Sequence, residues 1–146
     1  MNKILLLVAL FFIGSGCSNK KTDFDKIQDF IHETHPNVEL KNYKKLVSIN
    51  EEGDCINCNN TFSRKMGEVV ENKSILFILS GNGTKVDISA FVDSEHTNVI
   101  WDYNNEFGLL KLATACTIYT VKEGKFSNKV TIKLENLNSI NKFVEN

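Results

Sequence analysis

Residues 45–62 read KLVSINEEGDCINCNNTF: an apolar run, an acidic loop, two cysteines separated by two residues, and the start of a helical pattern. Leu46-Val47-Ser48-Ile49-Asn50 has the composition of a buried strand, and Glu51-Glu52-Gly53-Asp54 that of the loop leaving its end. Beyond the cysteines, Phe62, Met66, Val69 and Val70 fall at i, i+4, i+7 and i+8, one apolar helix face. Cys55 and Cys58 therefore stand where a strand hands the chain to a helix. Gly67 weakens that helix by about 1 kcal/mol relative to alanine without abolishing the pattern.

Upstream, Phe24, Ile27, Phe30 and Ile31 form the apolar stripe of a helix over 23–34. Thr22 or Asp23 is its cap, and Pro36, the one proline, blocks its continuation. Val38-Glu39-Leu40 reads as a short edge strand. Downstream, Ile75-Leu76-Phe77-Ile78-Leu79 is a continuous apolar run, as expected of a strand covered on both faces. Residues 86–95 carry a helical pattern, 99–103 a strand, and 107–112 a further apolar stretch. Thr117–Val121 and Lys129–Leu134 are strands joined through Lys122-Glu123-Gly124-Lys125, a hairpin signal with glycine available for positive φ. Leu137, Ile140, Phe143 and Val144 share one face of a closing helix over 136–144. Strands alternating with helices, then a hairpin, imply an α/β or α+β domain around a mixed sheet.

At the other end of the chain, Met1-Asn2-Lys3 and the apolar Ile4–Ile13 form a charged n-region and an h-region too short to span a bilayer. Gly14-Ser15-Gly16-Cys17 resembles the lipobox of bacterial lipoproteins, with Gly14 where leucine is usual. The resemblance implies removal of residues 1–16 as a signal peptide, lipidation of Cys17, and a tether over 17–22. An ordinary secretory signal cleaved nearby is the alternative, and both imply export. Losing residues 1–16 removes Lys3 and leaves 16 Lys and Arg against 18 Asp and Glu, a net charge of −2. A nucleic-acid partner needs a basic stripe that this chain lacks. The remaining 130 residues, with 23–146 as the folded unit, fit one domain.

Taken together, the strand leading into Cys55-Ile56-Asn57-Cys58, the segment Thr117–Phe126 with its Lys-Glu-Gly-Lys turn, and the terminal helix resemble a thioredoxin-like fold. With the lipobox, the likeness is to membrane-anchored thioredoxin-like lipoproteins of the bacterial cell envelope, over roughly residues 38–146. The resemblance implies a three-layer sandwich, a central mixed sheet flanked by helices. It implies thiol–disulfide exchange by Cys55 and Cys58 with no cofactor, a protein or small-molecule disulfide or thiol as partner, and a membrane contact through lipid. The chain departs from the family at three places. Cys116 stands where a cis-proline precedes the hairpin, Asp54 where an aromatic residue precedes the first cysteine, and Ile49 where the preceding strand carries a buried acid. A non-proline cis bond costs about 2.5–4 kcal/mol, so the peptide before Cys116 is expected to be trans.

A cysteine at a helix N-terminus gains from unpaired N–H groups and the helix dipole, which stabilise the attacking thiolate. Cys55 is thus the expected nucleophile and Cys58, one turn on and better shielded, the resolving thiol. Glu51, Glu52 and Asp54 oppose a further negative charge, which predicts a neutral or reducing couple. On the thioredoxin-like alignment Cys116 comes beside the pair and is a modulating or third thiol. Two other functions compete with exchange: a non-catalytic scaffold stapled by Cys55–Cys58, and a soft-metal site for copper or zinc built from the cysteines, with His96 as a fourth ligand by elimination alone. His96 otherwise reads as a solvated residue at a helix end, His32 and His35 as exposed, and Cys116 as a small buried apolar residue. Trp101 and Tyr103 read as strand packing. Ser80-Gly81-Asn82-Gly83 lacks the Lys-Ser/Thr of a phosphate loop and is a turn.

Overall fold

The computed structural model describes residues 20–52, 55–81, 85–92, 96–112 and 115–145. Helix α1 spans Asp23–Thr34 and buries Ile27, Phe30 and Ile31. The Thr22 hydroxyl accepts from the Asp25 N–H, and the Asp25 carboxylate accepts from the Thr22 N–H, so two groups without helical partners satisfy each other. Strand β1 is Lys45–Asn50, helix α2 Ile56–Gly67, and strand β2 Ile75–Ser80. Strand β3 is Val99–Asp102 and the short helix α3 Glu106–Leu109. The hairpin strands are β4, Thr117–Lys122, and β5, Lys125–Thr131, and helix α4, Ile140–Glu145, follows.

The result is a mixed α/β domain on one five-stranded sheet of order β3-β2-β1-β4-β5. β1 pairs in parallel with β2, and β2 with β3, while β1–β4 and β4–β5 are antiparallel. Side chains alternate across this sheet, which separates two apolar clusters. Val47, Ile49, Phe77, Leu79 and Ile118 meet Cys58, Phe62 and Met66 of α2 and Ile140 and Val144 of α4 on one face. Leu46, Leu76, Ile78 and Tyr119 meet Ile27, Phe30 and Ile31 of α1 and Phe107 of α3 on the other. With both faces covered, β1 and β2 are buried along their whole length, in keeping with the continuous apolar run Ile75–Leu79 of β2, while β1 buries the polar Ser48 and Asn50 as well.

Several elements differ from the sequence reading. Val38–Leu40 is not a strand. The Gln28 side chain accepts from the Leu40 N–H (2.7 Å) and donates to the Val38 carbonyl (3.1 Å), so α1 satisfies these groups and a 3-10 turn follows at Leu40–Asn42. The expected helix over 86–95 is a single 3-10 turn, Ser89–Phe91, among the residues described there. Asp87 is held instead by α2: its carbonyl accepts from Ser63 Oγ and its N–H donates to Asn60 Oδ1. β5 starts at Lys125, directly after Glu123 and Gly124, whose φ values of 52° and 70° make the tight turn that matches strand twist. The closing helix opens as a 3-10 segment over Leu134–Ser139. Tyr103 lies beyond β3 and is 68% exposed, its ring stacked on Trp101 at 5.8 Å.

Residues 1–19, with the expected signal segment and Cys17, lie outside the described residues. Of the expected tether, Lys21 is bonded to Asp29 and Thr22 belongs to the cap of α1. Among the described residues, no helix is long and apolar enough to cross a membrane.

Candidate functional site

β1 ends at Asn50, and the chain re-enters regular structure at Cys55, the N-cap of α2. Cys55 and Cys58 form a disulfide, with Cα atoms 5.2 Å apart. The Cys58 N–H donates to Cys55 Sγ at 3.3 Å, and the Asn59 N–H to the Cys55 carbonyl at 2.9 Å. Cys55, Ile56 and Asn57 are exposed, whereas Cys58 is 1% exposed and packs in the core beside Phe62. One cysteine of the pair is therefore an exposed residue and the other is shielded. This arrangement is one in which a thiolate can attack Cys55 with Cys58 as the leaving sulfur. Once reduced, Cys55 sits at the positive end of a twelve-residue helix with an N–H already directed at its sulfur.

Cys116 packs in the same apolar cluster as Cys58, on the α2 face of the sheet. Its Sγ lies 3.9 Å from the Asn50 carbonyl oxygen, which also accepts from Asn59 Nδ2 at 2.9 Å. The last residue of β1, the residue after Cys58, and Cys116 thus share one oxygen. No cis peptide occurs among the described residues, so the Ala115–Cys116 bond is trans. Cys116 is fully buried, and burial pushes its thiol up to about 12, so it stays protonated at neutral pH. Ile49 is fully buried among apolar side chains.

The acidic loop is better built than its composition suggests. Glu51 is 2% exposed, and its N–H continues the parallel ladder to the Ser80 carbonyl. Gly81, at φ 133°, lets the strands stay close here, because a Cβ on it would meet Glu51 Cβ at 2.7 Å. The Glu52 N–H donates to Asn50 Oδ1 (2.9 Å), and Glu52 Oε2 accepts from Asn105 Nδ2 (3.0 Å). Asp102, in register with Ser80, accepts from the N–H groups of Glu106 and Phe107 and so starts α3. Gly53 and Asp54 lie outside the described residues. Asn50, Asn59 and Asn105 were not singled out in the sequence. The available signal was a polar residue closing a buried strand and another directly following the second cysteine.

His96 does not join the cysteines. It precedes β3, at the amino end of the parallel strands, whereas Cys55 follows the carboxyl end of β1. A four-residue strand alone puts about 13 Å between those edges. Its side chain is 5% exposed, against the solvated position expected, and its Nδ1 lies 3.5 Å from Glu71 Oε1. Among the described residues, no group of three or more His, Cys, Asp or Glu has the geometry to hold a metal ion. His32 is exposed and bonded to Glu39 at 3.2 Å. A cleft of about 590 Å³ between the start of α1 and the β4–β5 hairpin is lined by Phe24, Tyr119 and Phe126, which pack on the sheet face opposite Cys58.

The fold and site define a mixed α/β domain with a disulfide at a helix N-terminus. No family model matches the chain, and neither the curated proteins nor the solved structures contain a match.

Proposed function

We propose that this protein is a thioredoxin-like thiol–disulfide exchange protein of the cell envelope, held to a membrane by lipid on Cys17. The observation that carries the reading is the asymmetry of the pair: Cys55 is exposed at the N-cap of α2, and Cys58 is buried behind it. The topology supports it, since β1, the cysteine motif, α2 and the parallel β2 are followed by a hairpin and a terminal helix beside them. In the forward step the Cys55 thiolate attacks a substrate disulfide and forms a mixed disulfide. Cys58 then attacks Cys55 Sγ, releases the substrate thiol and regenerates the internal bond. Export and the lipid anchor rest on residues 1–17.

A second reading, a non-catalytic scaffold stapled by Cys55–Cys58, draws on the apolar Ile49 and the neutral, buried Cys116 in place of the family's acid and proline. Insulin reduction separates the two. With dithiothreitol as donor, the full chain accelerates insulin reduction, Cys55→Ser abolishes the acceleration, and Cys58→Ser traps a mixed disulfide on Cys55. No acceleration and no trapped species would make the pair a staple.

A further inference from the structure

We propose that the cleft between the start of α1 and the β4–β5 hairpin takes the headgroup and first acyl carbons of an anionic membrane phospholipid. The site rests on the reading of Cys17 as a lipid anchor and is independent of the disulfide, since its aromatic floor packs on the sheet face opposite Cys58.

Three observations carry it. The first is the floor. Phe24 of α1 meets Phe126 of β5 edge to face with ring centres 5.3 Å apart, and Phe126 meets Tyr119 of β4 at 4.5 Å, so three aromatic rings line a cleft of about 590 Å³. An apolar floor with a few polar groups at this size suits a small amphiphilic molecule.

The second is charge. From Thr120 to Lys133 the chain carries four lysines and one acid, Glu123, although the whole chain has a net charge of −1. Lys125 and Lys129 line the cleft and are exposed. The Lys129 amine lies 5.3 Å from the centre of the Tyr119 ring and donates to the Leu112 carbonyl, which leaves two of its three N–H donors for a ligand. No described carboxylate pairs with Lys122, Lys125 or Lys129. Asp23, on the opposite wall, has its carboxylate 3.7 Å from the Lys26 amine. A phosphate at the two hairpin amines with an apolar chain over the rings uses both halves of the site.

The third is position. Thr22 lines the cleft five positions after Cys17, a reach of at most about 18 Å for a fully extended chain. A lipid on Cys17 therefore keeps these lysines within that reach of the bilayer surface, where anionic headgroups attract them. An extended peptide on the outer edge of β5 is the less favoured occupant. Asn128 Oδ1 accepts from the Lys129 N–H (2.9 Å) and Asn136 Nδ2 donates to the Thr131 carbonyl (2.9 Å), so this chain's own side chains take two groups that an added strand would need.

The test follows the backbone amide signals of the full chain by NMR during titration with dihexanoyl-phosphatidylglycerol, dihexanoyl-phosphatidylcholine and inorganic phosphate, both lipids being kept monomeric. Phosphatidylglycerol is expected to shift residues 22–24 and 125–129 saturably and to bind at least about tenfold tighter than phosphatidylcholine or phosphate. Shortening its chains to butanoyl weakens binding by at least about tenfold, because methylenes are lost from the aromatic floor. Lys125→Gln, which breaks no contact among the described residues, weakens it by about fivefold. Equal binding of the two lipids, phosphate bound as tightly as phosphatidylglycerol, or no response at these residues overturns the proposal. So does saturable binding of an acidic valine–threonine hexapeptide with no response to lipid, which would make β5 a strand acceptor. The mass of the protein isolated from a bacterial host reports lipid on Cys17 separately. A lipidated chain whose cleft ignores phosphatidylglycerol loses this inference alone, whereas an unlipidated Cys17 removes the anchor and the proposal with it.

Discussion

Asn59 donates its side-chain amide to the carbonyl oxygen of Asn50 across 2.9 Å, and so ties the helix that carries the disulfide to the strand that precedes it. Both residues are buried, at 3% and 6% exposure, so the bond is made away from competing water. The same oxygen has Cys116 Sγ only at 3.9 Å. The first turn of α2, with Cys55 and Cys58, is thereby fixed to the sheet from inside.

Removing that bond leaves a buried carbonyl with one weak partner. Asn59→Ala is expected to destabilise the oxidised protein by about 1–3 kcal/mol. Asn59→Asp, which turns a carboxylate toward a carbonyl oxygen, costs more. Urea denaturation at neutral pH checks both, and an unchanged midpoint for both variants would show that Asn59 does not anchor the helix.

Cys116 gives a pH dependence of definite sign. Below its ordinary value of 9.0 the thiol is neutral in folded and unfolded chains alike and contributes no slope. Between 9.0 and about 12 the unfolded chain loses this proton and the folded chain keeps it, so stability falls as pH rises. The alkaline decline is therefore shallower in Cys116→Ala than in the parent protein. The folded thiol is also inert at pH 8, because burial keeps it protonated and out of reach. Iodoacetamide labels Cys116 only after denaturant is added.

Gly67 closes α2 against the 3-10 turn at Ser89–Phe91, where a Cβ would stand 2.5 Å from Ala90 Cβ. Alanine favours a helix over glycine by about 1 kcal/mol, but overpacking here costs about 1–3 kcal/mol. Gly67→Ala is expected to be net destabilising, and Gly67→Ala with Ala90→Gly to recover stability. Thermal melts of the two proteins decide whether contact or helix propensity governs the site.

Gln28 serves two backbone groups, the Leu40 N–H and the Val38 carbonyl. Gln28→Ala is expected to cost about 1–2 kcal/mol and to speed hydrogen exchange at Leu40, with little effect on exchange at Ile78 in β2. Uniform acceleration across the chain would mean that the turn has no separate stability.

The parts of this fold legible in the sequence are those written by local physics. The apolar run at 75–79, the stripe Ile27, Phe30 and Ile31, and the strand before the cysteines each state a period or a burial pattern that the sheet then uses. The misread parts were decided by distant side chains. Val38–Leu40 has strand composition, yet Gln28, ten and twelve residues away, takes its backbone groups. The 86–95 segment has a helical pattern, yet Ser63 and Asn60 hold Asp87 against α2. At the site, the exposed and shielded roles of Cys55 and Cys58 followed from their spacing at a helix start. The burial of Glu51 could not be read, because it goes with the lack of a side chain on Gly81, the residue that follows β2.

The most direct measurement is the redox state of Cys55 and Cys58 in the full chain, equilibrated across glutathione buffers of graded potential and read by alkylation and mass spectrometry. The expected result is one reversible two-electron transition that belongs to this pair, with Cys116 unlabelled in the folded protein throughout. A pair that remains oxidised at every potential, or thiols that never form the bond, would contradict a working dithiol.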